Sequence, residues 1–306
     1  MATPMIRDQF TALTNLGVAL RAVFYDQISG MNGAVAGDSV QQFFNRQNSN
    51  RAQEKDQGVG GFGNVPEYTG AIQYDNFDLL YSQSYQHKTY ALGMSIEQTL
   101  IEDEEYGVMS NRARQMGIAF DRTREVHAAS IFTNAFSSSY LGGDSKALCA
   151  TDHPRSPSDA TTQSNKGTSA LTHDAVIAAA IAMMQFTDAR GNPANITPDT
   201  ILVPVSLMPT AQVIAGSALK SGTANNDTNV NGGYRVVTSS YLTDATDWFL
   251  IDSRMAMMYL NWFDRVLPEF VEDPTSSYNL EVKYRGRMRY SFGWDHWMWI
   301  YGNQVS

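Results

Sequence analysis

Residues able to perform catalysis are few in this sequence and lie far apart. The histidines are His87, His127, His153, His173 and His296, and none forms an HExxH or HxH pair. Cys149 and His153 lie four positions apart, but a zinc site needs a second pair of ligands, and the surrounding stretch offers none. A Cys149 nucleophile paired with His153 or His173 lacks an orienting motif. We therefore expect no catalytic, cofactor-binding or metal-binding residues, and keep an α/β hydrolase or metalloenzyme as the alternative.

Four consecutive carboxylates form an acidic cluster at Glu102, Asp103, Glu104 and Glu105. Such a group could act as an acid–base pair or bind a divalent cation. Acidic side chains also favour the positive end of a helix dipole or a solvated face, and we prefer that explanation. A third explanation is that the acidic cluster meets a cationic strip on another subunit, where complementary charge sets register and partner choice.

Cationic residues alternate with apolar ones near the C-terminus. Lys283, Arg285, Arg287 and Arg289, called the arginine strip below, occupy odd positions, while apolar residues occupy the even positions from Tyr278 to Ile300 except 286 and 296. This period of two predicts an amphipathic β-strand, with a bend at Gly286 or Gly293 because the run is long. The strip could contact nucleic acid phosphates, but we favour a subunit contact.

Aromatic residues are concentrated just beyond that strip. Trp294, Trp297, Trp299 and Tyr301 could stack nucleic acid bases. Aromatic side chains more often dominate cores and interfaces, so we expect them there.

Composition narrows the class of protein. The 306 residues carry a net charge of -9, so the broad basic surface of a DNA-binding or membrane-surface protein is absent. Charged residues are only 17% of the chain, so the surface is expected to be either largely polar and neutral or covered by neighbouring subunits. One cysteine excludes an internal disulfide framework, and no apolar run reaches the length of a signal peptide or membrane span. A soluble protein made in the cytoplasm is expected.

The sequence of the first third of the chain predicts elements that would be stable only in contact with another chain. Apolar spacing predicts an amphipathic helix over 7–30, followed by a polar, glycine-rich arm that cannot pack a core of its own. Between Pro66 and Ile96, tyrosines alternate with polar residues, which predicts a two-stranded ribbon. An isolated ribbon is marginal in water, so its stability should come from another chain.

A long helix and a mixed α/β region follow the ribbon. The segment from Glu97 to Phe136 has no proline and predicts one helix of roughly 50–60 Å at 1.5 Å per residue. A long polar loop is expected from 137 to 170. Thr172 then predicts an N-cap, and helices and short strands alternate from there.

This order of elements resembles the Hong Kong 97-type fold of tailed-bacteriophage major capsid proteins. The passages HKTYALGMSIEQTLIEDEEYG, DSKALCATDHP, ITPDTILVPVSLMPTAQVI and TDATDWFLIDSR are similar in style to the Mu-type major head subunit group. The resemblance implies an α+β fold whose parts are an N-terminal arm (1–57), an extended hairpin called the E-loop (58–95), the P domain spine helix and following loop (96–170), an α/β A domain (171–265) and the P domain return strands (266–306). Contacts between subunits are expected at Tyr74, Tyr81, Tyr85, Lys88, the acidic cluster and the arginine strip.

The same resemblance implies a structural virion protein and not an enzyme. Its copies would assemble into the pentamers and hexamers of an icosahedral head, which encloses double-stranded DNA without sequence-specific binding. A portal and a decoration protein are implied partners, and a separate scaffolding protein is expected because no long helical N-terminal extension is seen. The protein would be made in the host cytoplasm, end in the virion and have no membrane contact. An encapsulin-like nanocompartment shell shares the fold and is the alternative.

Overall fold

The computed structural model of the chain describes residues 16–28, 39–103 except 71, 73 and 77, 106–220, 227–273 and 281–305. Its α-helices are α1 (16–28), α2 (Gln98–Glu102), α3 (Tyr106–Thr133), α4 (His173–Met184), α5 (Met208–Gly216) and α6 (Ser253–Tyr259). Short 3-10 helices cover Val40–Phe43 and Val205–Leu207. Among these described helices, none combines the length and apolar content that a membrane crossing requires.

The strands form two larger sheets and two hairpins. One sheet has the order β1-β11-β12-β4 and the other the order β7-β13-β10-β8-β9, while β2 pairs with β3 and β5 with β6. The strands are β1 (Asn45–Asn48), β2 (Gln53–Val59), β3 (Leu79–Gln86), β4 (Lys88–Glu97), β5 (His153–Ser156), β6 (Asp159–Gln163), β7 (Lys166–Gly167), β8 (Thr200–Pro204), β9 (Arg235–Ser239), β10 (Trp248–Ile251), β11 (Leu260–Glu272), β12 (Glu281–Trp294) and β13 (Ile300–Asn303).

Two helices cover one face of the four-stranded sheet. The Phe24 ring of α1 lies 5.1 Å from Phe270 on β11 and 5.6 Å from Phe120 on α3, measured between ring centroids. A Cβ built on Gly286 of β12 would lie 2.6 Å from Phe120 Cζ. The predicted helix over 7–30 is confirmed across 16–28, with Leu16, Leu20, Phe24 and Ile28 buried, and its remaining residues lie outside the described ones.

Strand β12 has the predicted alternation. Tyr284, Met288 and Tyr290 are buried beneath the helices, whereas Arg285 and Arg287 are exposed on the opposite face. The strand continues through Gly286 and ends directly after Gly293. Close packing of Phe120, more than a break in the strand, therefore accounts for glycine at 286.

The second sheet is the core of the α/β region. Strands β8 and β10 are buried at every position, as expected of central strands covered on both faces. Thr172 caps α4 by accepting a hydrogen bond from the Ala175 amide (3.2 Å), which confirms the predicted N-cap. Helix α5 begins next to Pro209, a residue favoured in a first helical turn.

The predicted ribbon exists, but its first strand was placed wrongly. Strand β3 pairs antiparallel with β2, so that Asp56 faces Gln83 and Val59 faces Leu79. Strand β4 pairs instead with β12. The sequence QEKDQGV of β2 is polar, so it lacks the apolar alternation by which strands are usually recognised.

The long helix is shorter than predicted. Helix α3 begins at Tyr106 and has 28 residues, which gives a length of about 42 Å. The short helix α2 precedes it and ends at Glu102. Tyr106 is exposed, while Asp121 and Arg124 are buried, so the buried face includes charged residues that apolar periodicity does not mark.

The polar stretch from 137 to 170 is also more ordered than expected. It contains β5, β6 and β7, and β7 joins the edge of the second sheet beside β13. Polar side chains hold this region, since Asn165 bonds backbone groups of several segments.

Candidate functional site

The residues that could perform catalysis are engaged in holding the fold. Cys149 is 1% exposed, and burial raises the pKa of its thiol above the usual value. His153 stacks on Trp297 (4.4 Å between ring centroids), and its ring nitrogens lie 2.6 Å from Asp144 Oδ2 and 3.1 Å from Asn165 Oδ1. A buried, protonated thiol is a poor nucleophile. The described residues contain no group of three His, Cys, Asp or Glu side chains able to hold a metal ion.

His127 and His87 are also held by polar neighbours, whereas neither ring nitrogen of buried His173 has a hydrogen-bond partner among the described residues. His127 Nδ1 lies 2.6 Å from the Tyr290 hydroxyl, and His87 lies between the hydroxyls of Ser49 and Ser291, each at 3.0 Å. Burial lowers the pKa of both His87 and His127. Neutral histidines with such partners connect strands and helices in the interior.

The tryptophans lie in the core. Trp294, Trp297 and Trp299 are each less than a tenth exposed, and Trp299 packs edge-on against Phe132. They cannot stack bases without unfolding this region, so the expected core role fits their positions.

The hairpin formed by β2 and β3 exposes several apolar side chains between positions 59 and 79, a segment that we call the hairpin tip. The most exposed side chains are Val65 (94%) and Tyr74 (91%). Other exposed apolar residues of the tip are Val59, Phe62, Tyr68, Ile72 and Leu79. A group of apolar side chains exposed to water along one segment indicates a contact surface for another protein.

One ion pair holds the tip near its own subunit. Arg190, in the turn after α4, lies 2.8 Å from Asp75 Oδ2 and also donates to the Asn76 carbonyl. The Gly63 amide donates to the same Asp75 oxygen at 3.1 Å, and this bond, more than Arg190, holds the pKa of Asp75 below its usual value. The tip is thereby oriented while its apolar side chains stay uncovered.

The base of the hairpin is buried against the first sheet. The Tyr85 hydroxyl and the Asn261 side-chain amide both donate to the carboxylate of Asp295, which follows β12. Tyr85 is only 3% exposed, so the expectation that it contacts another subunit is corrected. Tyr85 shares one face of β3 with the half-buried Tyr81 and Gln83, and its ring packs against Phe263 at 5.3 Å between centroids. Tyr81 is half-buried and Tyr74 fully accessible.

Two members of the acidic cluster lie in the described residues. Glu102 and Asp103 are exposed at the end of α2, while Glu104 and Glu105 lie outside the described residues. Gln98 donates to Glu102 Oε1 at 3.2 Å. Helix α2 follows β4 directly, so Glu102 and Asp103 lie near the end of the sheet where Glu97 faces Glu281.

The arginine strip lies on the sheet face opposite α1 and α3. Arg287 Nε donates to Glu269 Oε1 at 2.7 Å, and Lys283 Nζ lies 3.6 Å from Glu281 Oε2. Arg285 is exposed and Arg289 half-buried. Their Cα partners on β4 are small or polar residues, namely Ser95, Gly93, Ala91 and Thr89. No ion pair among the described residues joins Glu102 or Asp103 to the strip, and Lys88 is exposed on β4 beside it.

A buried charge cluster connects the arm to the sheet, and the sequence did not indicate it. Asp264 of β11 accepts from Arg46 of β1 (3.1 Å) and from the Trp262 indole (3.0 Å), and lies 3.6 Å from Arg124 of α3. Burial raises the pKa of Asp264, and it raises that of nearby Asp121 to about 7. The four charges are separated by up to 218 positions in sequence, so spacing alone could not reveal them.

Comparison with known proteins decides the family. A model of the family described as phage capsid protein matches residues 81–303. The chain belongs to the phage capsid protein family. The resemblance to tailed-phage major capsid proteins is thus confirmed, and the chain is a structural subunit of a capsid shell. None of the curated proteins matches the sequence.

Solved structures confirm the fold at low sequence identity. The procapsid of bacteriophage JBD30 is 16% identical with a TM-score of 0.55, covering 99% of this chain and 77% of that one. The capsid of the cyanophage P-SCSP1u is 12% identical with a TM-score of 0.58, covering 86% of each chain. The virus-like particle from Pyrococcus furiosus is 8% identical with a TM-score of 0.50, covering 93% and 97%. The capsid subunit therefore has the Hong Kong 97-type fold that its order of elements implied.

Proposed function

We propose that the capsid subunit assembles into pentamers and hexamers that close an icosahedral head around double-stranded DNA. The observation that carries this proposal is the hairpin tip, where Val65 and Tyr74 are more than nine-tenths exposed. Leaving such side chains in water costs about 25 cal/mol per Å² of apolar surface that a partner could bury. Further copies of the same chain are the partners that a capsid family supplies.

The contacts between subunits are proposed at three surfaces. The hairpin, which corresponds to the proposed E-loop, contributes Tyr74 and Tyr81, with Lys88 close by on β4. The acidic cluster and the arginine strip carry opposite charges, and within the described part of the chain neither Glu102 nor Asp103 forms an ion pair with the strip. Charge complementarity of this kind mainly sets register and partner choice between subunits.

The division into arm, E-loop, P domain and A domain remains part of the proposal. Support comes from the first sheet, which places β4, β11 and β12 together, and from β8 and β10, which lie together in the second sheet. Strand β13 departs from the proposed division, because it lies within 266–306 but pairs with β10 in the second sheet. A portal, a separate scaffolding protein and a decoration protein are proposed partners, with host-cytoplasmic synthesis and a final place in the virion.

Enclosure of DNA is proposed without tight binding. The net charge of -9 disfavours a continuous cationic inner wall. We expect no sharply salt-dependent affinity of the purified subunit for duplex DNA. A steep loss of affinity with rising salt, as seen when many phosphates are neutralised, would contradict this part of the proposal.

Cryo-electron microscopy of the expressed chain, with and without the neighbouring phage genes, tests the proposal. Closed shells or capsomers with five-fold and six-fold rings are expected. A folded protein that stays monomeric at every concentration, even beside its scaffolding and portal genes, would overturn it.

A nanocompartment that encloses a protein cargo is the second candidate. It is favoured by one observation, the likeness to the virus-like particle from Pyrococcus furiosus. Mass spectrometry of particles purified from the native source separates the two functions. Packaged DNA supports the phage head, whereas a stoichiometric enzyme inside DNA-free shells supports the nanocompartment.

A further inference from the structure

Two arginines of the first sheet, which we call the arginine pair, lack an anionic partner within the subunit. Arg265 lies at the bulge of β11, next to Val266, which is the Cα partner of Arg289 on β12. Among the described residues, the Nε atoms of Arg265 and Arg289 are buried without a hydrogen-bond partner, and neither side chain forms an ion pair. Arg287, by contrast, donates to Glu269 at 2.7 Å. Positive charge therefore remains unpaired at the arginine pair.

Both members of the arginine pair lie on the face of the sheet opposite α1 and α3. Arg265 Nη1 donates to the Ser49 carbonyl at 3.4 Å, and the Ser49 hydroxyl lies 3.0 Å from His87 Nε2. His87 Nδ1 lies 3.0 Å from the hydroxyl of Ser291, which shares the strand face of Arg289 two positions earlier. Burial lowers the pKa of His87, and the charges of both arginines lower it further. The two guanidinium groups accordingly act on the same part of the sheet.

A carboxylate is the group that fits the arginine pair. A guanidinium binds a carboxylate or a phosphate through two parallel hydrogen bonds, and a buried N–H without an acceptor costs free energy. On the same face of the sheet, Glu269 pairs with Arg287 and Glu281 with Lys283. These carboxylates would repel the continuous line of phosphates in a nucleic acid, because like charges brought together cost free energy. A single carboxylate of another protein chain avoids that repulsion.

The opposite end of the same sheet is negatively charged. Glu97 at the end of β4 is the Cα partner of Glu281 on β12, and like charges directly opposite each other are unfavourable. Lys283 Nζ lies 3.6 Å from Glu281 and offsets one of these charges. Beyond Glu97, Glu102 and Asp103 are exposed at the end of α2, and neither forms an ion pair with another described residue. This end of the sheet therefore favours a cation from outside the subunit.

The two charged ends of the sheet cannot meet within one subunit. Glu281 and Arg289 are eight positions apart on β12. At about 3.4 Å per residue, that spacing separates them by about 27 Å. Opposite charges at opposite ends of one sheet favour a head-to-tail contact, in which the positive end of one copy meets the negative end of the next. Such a contact uses two different surfaces and closes into a ring when the rotation between copies allows it.

We propose that the arginine pair of one subunit binds Glu102 and Asp103 of the next copy, and that this head-to-tail contact closes the capsomer ring. The contact rests on the proposed function, since it joins copies of a shell subunit, and it specifies which charges meet there. Within the arginine strip, the contact belongs to Arg289 and not to Arg287, whose charge Glu269 already neutralises. Arg265 joins it from β11, outside the strip.

Zero-length cross-linking of assembled particles tests which groups meet. Arg289→Lys keeps the positive charge and supplies an amine that a carbodiimide joins to a carboxylate in direct contact. Particles assembled from unlabelled and heavy-isotope-labelled full-length variant should give a mixed-isotope cross-link from position 289 to Glu102 or Asp103. Arg287→Lys is the matched control and should link to Glu269 of its own chain. A working control without a link from 289 to Glu102 or Asp103 would overturn the contact.

Charge reversal tests the same contact through assembly. Arg289→Glu and Glu102→Lys should each raise the protein concentration at which rings form by at least about tenfold, because each places like charges together. Combined in one chain, the two substitutions should restore assembly, because opposite charges meet again. Single variants that assemble like wild type, or a double variant as defective as either single one, would contradict the pairing.

Folding, DNA content and assembly are scored separately. Circular dichroism reports whether each variant folds, and Glu102 is exposed, so Glu102→Lys carries the test if Arg289→Glu does not fold. Intact rings that lose packaged DNA in Arg289→Glu would assign the arginine pair to phosphate and overturn the contact. Normal shells without the cross-link overturn the contact and leave the proposed function standing. Wild type that never assembles overturns the proposed function itself.

Discussion

Asn165 shows how a single polar side chain can organise an otherwise polar loop. It is fully buried, its side-chain amide donates to the carbonyls of Leu148 (2.8 Å) and Ile300 (3.2 Å), and its oxygen accepts from the Ala150 amide (2.9 Å). The same oxygen faces His153 Nε2. Removing it leaves several buried backbone groups without partners, each costing about 1–3 kcal/mol.

Asn165→Ala should therefore lower the free energy of unfolding by about 2–4 kcal/mol. Chemical denaturation of the purified subunit, monitored by tryptophan fluorescence, measures this change. Asn111→Ala, on the exposed side of α3, is the matched control and should change stability by less than about 0.5 kcal/mol. Equal effects of the two substitutions would show that Asn165 does not hold the loop.

Asp121 makes the stability of the subunit depend on pH. Burial raises its folded pKa from the usual value of 3.8 to about 7, and Arg46 offsets part of that shift. Because the folded pKa is raised, the stability that the protonated form contributes is lost as the pH rises from about 4 to about 7.

We expect the free energy of unfolding to fall by about 2–4 kcal/mol more in wild type than in Asp121→Asn between pH 4.5 and pH 8. Denaturant titrations at the two pH values measure how the free energy of unfolding changes with pH in each protein. Asp78→Asn, which changes an exposed carboxyl, should keep the wild-type slope. A parallel decline in wild type and Asp121→Asn would contradict the assigned burial.

Among the helices and strands, the features that short-range interactions determine were predicted correctly from local sequence patterns. The N-cap at Thr172 and the alternation along β12 could be predicted from the sequence. Side-chain capping and burial of one strand face each require particular residue types at regular positions. The existence of a long helix before the polar loop followed from the same kind of evidence. The start of this helix at Tyr106 could not be predicted from the sequence, because no glycine or proline marks the end of α2 at Glu102.

Long-range pairing accounts for the errors. Strand β2 is polar and becomes a strand only because it pairs with β3, and the hydrogen bonds of that pairing are not encoded in apolar periodicity. Tyr85 was expected at a subunit contact, yet its packing against Phe263 depends on how the hairpin base meets a strand almost 180 positions away. The buried cluster of Arg46, Asp264 and Arg124 escaped notice for the same reason.

The contact between α1 and α3 offers a test at this scale. Gly117 lies where the two helices cross, and a Cβ there would approach Gln27 Cβ at 3.1 Å and the Phe24 carbonyl at 3.2 Å. Gly117→Leu should displace α1 from the sheet and expose its residues to protease, with a cost of about 1–3 kcal/mol.

Gly107→Leu is the control, since a side chain at 107 on the same helix meets nothing within 4 Å. This variant should keep α1 protected from protease. Its free energy of unfolding should rise slightly, because leucine has a better helix propensity than glycine. Limited proteolysis followed by mass mapping of residues 16–28 reports the difference. Protection of α1 in the Gly117 variant would show that the helices do not pack as described.

At the scale of the whole molecule, the capsid subunit combines a buried two-sheet body with a hairpin whose apolar side chains remain in water. The body is held by its own core, so changes at the tip should leave folding intact. Assembly should respond instead, because the tip surface is buried only when another copy covers it. This separation of folding from assembly is what the shell function requires of the hairpin.

Sedimentation velocity of tip variants tests whether the exposed apolar side chains of the tip drive assembly. Serine at Phe62, Val65, Ile72 and Tyr74 removes most of the exposed apolar surface, while Phe62→Leu, Val65→Ile and Tyr74→Phe keep it. Circular dichroism should report the wild-type fold for both sets. Wild type and the conservative set should form capsomers or shells, and the serine set should sediment as a monomer. Assembly of the serine set at wild-type concentration would contradict the role of the tip in assembly.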